Sequence, residues 1–307
     1  MRLISYYGSR DELRAGVVVG EHVIDLTSQI VALPLPASAS RRGLAPPLGS
    51  MLHLLCAGAE GLAALQRRVE TSAESARDRN LLLGDVRLAA PVPRPGKIVG
   101  IGRNYADHAK ETGVQPFERP RIFLKASSSA IGHGAIVHKP AGVSKLDLEA
   151  ELGVVIGEFA ANVSREKAKS VIAGYTVLND LSAREFQFDV SPPQTSFAKS
   201  MDGFCPMGPW LVTADEIPDP QRLEIRSFLN GTPMQHGNTA DMLFPVDRLV
   251  EYISGYMTLE PGDVIATGTP AGSGAFRKPP VWLQPGDRVR IEIERIGSLE
   301  HGIGESA

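Results

Sequence analysis

The spacing of apolar and polar positions changes several times along the chain, and each change marks an element. Three short runs in the first 27 residues, LISYY, RAGVVVG and HVIDL, predict a small strand meander. Residues 32–48, ALPLPASASRRGLAPPL, predict a loop through their prolines and small side chains. Leu52, Leu55, Leu62 and Leu65 recur at helical spacing and predict a helix over about 50–70. The three prolines and the glycine of APVPRPG, 90–96, predict a linker. The expected division is therefore a small N-terminal α+β domain, 1–93, and a larger domain, 94–307.

Past the linker, short apolar runs predict strands at 97–101, 121–125, 135–138, 148–157, 174–179, 223–229, 263–267 and 288–295. A helix is predicted to open at Ser164, where SREKAKSVI offers an N-cap followed by good helix formers. A second covers about 246–257, with Val246, Leu249, Val250 and Ile253 on one face. Asn230-Gly231 is a hairpin-type turn signal. With 31 glycines and 23 prolines, the chain is punctuated about every ten residues, which favours many short strands. The expected class is a β-rich α+β fold, not a parallel βαβ array. No internal repeat is visible.

Composition narrows the partners. At 307 residues the chain can hold one large domain with a small companion. A formal charge of −3 without a run of Lys and Arg gives no footprint for nucleic acid. The start, MRLISYYGSRDELRAG, lacks the apolar core of a signal peptide, and no stretch of about 18 apolar residues is present to enter a membrane. Cys56 and Cys205 are far apart and in no ligand spacing, so two free thiols and a cytoplasmic location are expected.

Candidate chemistry starts with KLDLEAELGVVIG, 145–157, where Asp147, Glu149 and Glu151 interrupt an apolar run. Alternation puts all three on one strand face, and carboxylates so close repel unless that face is solvent or holds a cation. In GYTVLNDLSAREFQ, 174–187, Asp180 ends an apolar strand, as a helix cap or as a ligand. Glu149, Glu151 and Asp180 make a hard, all-oxygen set suited to Mg²⁺ or Mn²⁺, and no Cys/His cluster with zinc spacing competes. In NYADHAKE, 104–111, His108 and Glu111 lie at i and i+3, either as an exposed polar pair or as an oriented base. Gly100, Gly102 and Gly113 would let that segment hinge as a lid. Lys199 stands among small and apolar residues in SFAKSMDGFCPMGPW, 196–210, as a snorkelling lysine or as a cation for a developing enolate. The loop ATGTPAGSG, 266–274, could cradle a carboxylate, but it lacks the ending of a nucleotide P-loop.

Taken in order, GRNYADHAKE, FLKASSSAIG, LDLEAELGVVIG, GYTVLNDLSARE, FAKSMDGFCPMGPW, NGTPMQHGNTADMLF, TGTPAG and PGDRVRIEIERIG resemble the fumarylacetoacetate hydrolase family. They cover most of 94–300, while the first ninety residues match loosely. The resemblance implies a mixed β-sandwich roll for the C-terminal domain, a homodimer, and a small 2-oxo acid as substrate. It implies Glu149, Glu151 and Asp180 as ligands of Mg²⁺ or Mn²⁺, and His108 with Glu111 as the water-activating lid dyad of the acylpyruvase-like branch. Lys199 matches the lysine at the oxo-acid end and Thr269 a carboxylate-binding loop residue. Arg184, Gln187 and Lys125 match positions near the substrate. Ile101 stands where the name-giving enzyme has a fourth carboxylate, and Phe197 where many relatives have tryptophan. The expected reaction is hydrolysis of an acylpyruvate or related diketo acid. Decarboxylation of oxaloacetate-like acids and isomerisation of hydroxydienoates remain open on the same residues, as does a non-catalytic binder with a structural cation.

Overall fold

Apolar runs bounded by glycine and proline fold into strands that pair mostly antiparallel, and the chain has the expected α+β, strand-rich architecture. The computed structural model describes residues 1–41, 43–72, 81–111, 113, 115 and 117–306. Among these, a twelve-stranded sheet carries the site. Its central order is Arg2–Tyr7, Cys205–Thr213, Ile172–Asn179, Ala150–Ile156, Val264–Ala266, Ile98–Gly102, Arg121–Lys125. Only Val264–Ala266 beside Ile98–Gly102 runs parallel along this path. The N-terminal meander adds to this sheet through Arg2–Tyr7, which hydrogen-bonds to Cys205–Thr213.

A five-stranded sheet, in the order Thr232–Asn238, Glu224–Leu229, Arg288–Ile293, Gly297–Gly304, Ile136–His138, packs against it. Asn230 and Gly231 both have positive φ, 50° and 82°, as the hairpin turn between its first two strands requires.

Ala150–Ile156 is buried along its whole length because both of its faces are covered. Leu152, Val154 and Ile156 join a core with Ile291, Leu299 and helix residues Leu249, Val250 and Ile253. Val155, on the opposite face, packs with Leu54 and Leu55 of the N-terminal helices. A strand covered on both sides needs the continuous apolar run that GVVIG supplies.

Several elements differ from the sequence expectation. The helix expected over 50–70 is two, Met51–Cys56 and Gly58–Ser72. Gly58, at φ +68°, breaks it, and a Cβ there would lie 2.4 Å from Glu158 Oε1. The loop over 32–48 contains a short helix, Ala37–Arg41. The helix expected from Ser164 is a 3₁₀ run, Arg165–Val171, whose buried Ala168 and Val171 lie three apart and so stack on a three-residue turn. The strand expected over 148–157 is split, with Leu146–Asp147 pairing to Ser182–Ala183 and Ala150–Ile156 following. No helix among the described residues is long and apolar enough to cross a membrane.

Candidate active site

Strand register brings together acids thirty residues apart. Ala150 lies opposite Asn179 and Glu151 opposite Leu178, so Asp180, just past its strand, meets Glu149, just before its own. The Asp180 N–H donates to the Glu149 carbonyl at 2.9 Å, and the Glu149 N–H donates to Asn179 Oδ1 at 2.9 Å. Glu149, Glu151 and Asp180, all buried, offer carboxylate oxygens within 4.8 Å of one another. The face is not solvent.

Three cations border this cluster. Lys199, last residue of the short helix Thr195–Lys199, is buried and donates to Glu149 Oε2 at 2.7 Å, Asp180 Oδ2 at 2.6 Å and Ser182 Oγ at 2.7 Å. Arg184 donates to Glu149 Oε1 at 2.6 Å, Asp147 Oδ2 at 2.9 Å and Gln187 Oε1 at 2.8 Å. Lys125 donates to Asp180 Oδ1 at 2.7 Å, to the Phe204 carbonyl at 3.0 Å and to the Lys199 carbonyl. Its side chain is wholly buried behind Asp180 and does not line the cavity, so the substrate contact expected of Lys125 is taken up by a structural one.

Electrostatics divide the two glutamates. Burial would raise the Glu149 carboxyl, but Arg184 and Lys199 outweigh it and hold the group well below the usual carboxylate range. Glu151 is pushed well above that range by burial and by the charges of Asp180 and Glu149. Burial would lower Lys199, but Asp180 and Glu149 raise it, so it is a fixed ammonium.

Above the cluster lies the helix Ala106–Glu111. Asn104 ties its start down, donating to the Thr267 and Phe244 carbonyls at 2.7 and 3.0 Å. His108 is buried, with Nδ1 3.1 Å from Glu111 Oε2. That contact places hydrogen on Nδ1 and leaves Nε2 as the free nitrogen. Glu111 in turn accepts from the Gly272 N–H at 3.1 Å, and Phe276 meets the His108 ring edge-on at 5.4 Å. The 267–276 loop thus joins this helix to the cluster. The Gly268 N–H reaches Glu151 Oε2 at 2.8 Å, at φ +98°, where a Cβ would lie 2.6 Å from Asn104 Cβ. Thr269 Oγ1 donates to the Ala150 carbonyl at 2.9 Å.

Asp147, on the same strand face by alternation alone, turns instead to this loop. It accepts from the Gly274 and Ala275 N–H groups at 2.7 and 3.1 Å while pairing with Arg184. Sequence reasoning also missed Gln235, which is buried and donates to Thr269 Oγ1 at 2.7 Å while accepting from the Ala150 N–H at 2.9 Å. Its only signal was its place in NGTPMQHGN. His108, Glu149, Glu151, Arg184, Gln187, Lys199 and Thr269 all border one cavity of about 200 Å³.

The donor set fits a hard divalent cation. Three buried carboxylates converge, and Glu151 accepts only the Gly268 amide, with no ion pair among the described residues. A buried carboxylate left in that state is costly unless a cation neutralises it. Glu149, Glu151 and Asp180 would hold it.

Known proteins place this arrangement. The fumarylacetoacetate (FAA) hydrolase C-terminal family model matches residues 97–303. A mitochondrial oxaloacetate tautomerase of Xenopus laevis is 43% identical over 235 residues, 76% of this chain and 74% of its own. A fumarylacetoacetate hydrolase structure from Exiguobacterium antarcticum is 34% identical, with TM-score 0.81 over 99% of both chains. The maleylpyruvate hydrolase of Sphingobium sp. SYK-6, solved with manganese(II) and pyruvate, is 32% identical, with TM-score 0.78 over the whole of both chains. The fold, the buried acidic triad and these matches agree: the chain belongs to the fumarylacetoacetate hydrolase family and is an enzyme of it.

Proposed function

We propose that the chain is a divalent-metal-dependent hydrolase that cleaves a C–C bond in a 2-oxo acid of the acylpyruvate type. The observation that carries this reading is His108, buried at the wall of the cavity that Glu149, Glu151 and Lys199 also line and held at Nδ1 by the half-buried Glu111. A structural cation needs neither. Mg²⁺ or Mn²⁺ held by Glu149, Glu151 and Asp180 supplies charge that favours enolate formation at the 2-oxo acid end.

The chain's own residues do the rest. Glu111 fixes His108 with hydrogen on Nδ1, so Nε2 takes a proton from water. The hydroxide adds to the acyl carbonyl carbon, and the bond from that carbon to the pyruvate methylene breaks. Its electron pair leaves with pyruvate as the enolate, which Lys199 stabilises and which then takes up a proton. One water is consumed, and the products are a carboxylic acid and pyruvate. Thr269 and Gln187 border the cavity where the substrate would lie, and Arg184 holds Glu149 in place. The assembly expected of the family is a homodimer.

The Xenopus laevis relative favours a second reading, interconversion of the enol and keto forms of an oxaloacetate-like acid, with decarboxylation as a variant on the same enolate. Loss of acylpyruvate absorbance with stoichiometric pyruvate, dependent on added Mg²⁺ or Mn²⁺, is the expected result. Oxaloacetate turnover without any acylpyruvate cleavage would move the assignment to the second reading. Absence of turnover with every 2-oxo acid, despite metal binding, would leave only a binding protein.

A further inference from the structure

Two consecutive backbone amides at the head of the ligand-bearing strand are held by side chains instead of by a neighbouring strand. The ladder from Ala150–Ile156 to Val264–Ala266 reaches back only to Gly153, and the Thr267 N–H adds one bond to the Leu152 carbonyl. Beyond that point the Ala150 N–H donates to Gln235 Oε1 at 2.9 Å, and the Ala150 carbonyl accepts from Thr269 Oγ1 at 2.9 Å. On the other edge the Asp180 N–H still reaches the Glu149 carbonyl, but the Glu149 N–H meets Asn179 Oδ1 where a ladder would offer a carbonyl.

Both side-chain amides are fixed by further contacts. Gln235 Nε2 donates to Thr269 Oγ1 at 2.7 Å and to the Pro270 carbonyl at 2.8 Å, and Gln235 Oε1 also accepts from Ser227 Oγ at 3.0 Å. Asn179 Nδ2 lies 2.8 Å from His301 Nε2. Because Asn179 Oδ1 already serves the Glu149 amide, its NH₂ faces His301, and Nε2 must accept. That requires a neutral ring with hydrogen on Nδ1, which lies 3.5 Å from the Gly302 carbonyl. Burial favours the neutral ring, lowering its pKa from 6.5 to about 4. If Asn179 turned over, its NH₂ would face the Glu149 N–H, donor against donor. Asn179, Ser227, Gln235 and His301 are all buried, so bulk water does not replace a lost partner. Gln235 stands on Thr232–Asn238 and His301 on Gly297–Gly304, both in the five-stranded sheet. Glu149, Glu151 and Asp180 lie in or beside strands of the twelve-stranded one.

We infer that Gln235 and the Asn179–His301 pair are positioning residues, through which the five-stranded sheet fixes the backbone at Glu149 and so the place of its carboxylate in the acidic triad. The strand break at Leu148 and Glu149 leaves this backbone without a regular ladder, so its side-chain partners decide where it sits. Partners that orient a metal ligand from outside contribute about 10–100-fold to metal affinity. The inference rests on the reading of the triad as a divalent-cation site, and it adds which residues outside the triad set the affinity.

The same bonds also join the two sheets, and the test separates the two roles. Mn²⁺ affinity is read from the electron paramagnetic resonance signal of the free ion, with urea unfolding of the metal-free protein alongside. Gln235→Met and His301→Leu remove the amide and the acceptor at similar size, and each should lower Mn²⁺ affinity by about 10–100-fold. His301→Gln, whose Oε1 can stand in for Nε2, should restore most of that affinity. Gln235→Asn, one methylene short of Ala150, should also bind Mn²⁺ more weakly, and it keeps the test valid if Gln235→Met or His301→Leu does not fold. A merely structural role lowers the urea midpoints but leaves the folded variants with wild-type Mn²⁺ affinity, which overturns the inference. Equal losses in His301→Gln and His301→Leu overturn it as well. Wild-type protein that binds no Mn²⁺ overturns the cation reading of the triad and the inference with it, whereas wild-type affinity in the folded variants overturns the inference alone.

Discussion

Lys125→Met separates a structural lysine from a substrate contact. The substitution keeps side-chain length and removes the charge. Asp180 loses one of its two ammonium partners, and the Phe204 and Lys199 carbonyls lose a donor, all within wholly buried surroundings. Removing one partner of a buried ion pair costs about 3–5 kcal/mol. Lys199 still donates to the other Asp180 oxygen at 2.6 Å, which sets the expected loss near the lower end, about 3 kcal/mol. Urea unfolding in EDTA, followed by tryptophan fluorescence and far-UV dichroism, reads this directly. Added Mg²⁺ gives Asp180 a new positive neighbour, so the deficit should shrink as the cation is titrated in. KM for an acylpyruvate should change little, because Lys125 does not border the cavity. A stability loss below about 1 kcal/mol, the value of one ordinary hydrogen bond, together with a large rise in KM would refute this reasoning.

Three further outcomes are expected. His108→Ala should lower kcat for hydrolysis by about 10²–10⁴-fold while Mg²⁺ affinity, measured by calorimetry, is unchanged, and Glu111→Gln should lower kcat less; equal activity in both would remove the dyad from the mechanism. Asp147→Asn should destabilise by about 3 kcal/mol, read by urea unfolding, and lower kcat more than it raises KM, because Asp147 holds both Arg184 and the loop that carries Phe276 onto His108. Burial lowers His301 from 6.5 to about 4, so the unfolded chain takes up this proton first and stability falls as pH drops from about 6.5 towards 4, by up to about 3 kcal/mol. Urea midpoints across that range should show the slope in the wild type and a shallower one in His301→Gln.

What the sequence made legible follows from the range of each interaction. Glu149 and Glu151 were readable because strand alternation is local, and His108 with Glu111 because helix spacing is. Asp180 needed a register between two strands, and its position at a strand end was enough to suggest it. Lys125 could not be placed, because its partner lies 55 residues away and nothing local to FLKAS says which end of the site it faces. Asp147 could be kept out of the ligand set but not given its partners, because the strand breaks at Leu148 and Glu149 and the amides of Gly274 and Ala275 lie 127 and 128 residues on. The 50–70 helix failed at Gly58 for a similar reason: the break is held from outside, by Glu158 accepting the Ala59 N–H at 3.0 Å.

Charge balance sets what the buried triad can take up. Four buried carboxylates, Asp147, Glu149, Glu151 and Asp180, face three buried cations, Lys125, Arg184 and Lys199, an excess of one negative formal charge. Buried charge of either sign is costly when unmatched. A divalent cation in the triad would convert that excess into one positive charge, which the single carboxylate of the proposed 2-oxo acid would neutralise. The inner site is then complete, and it has nothing left for a second anion.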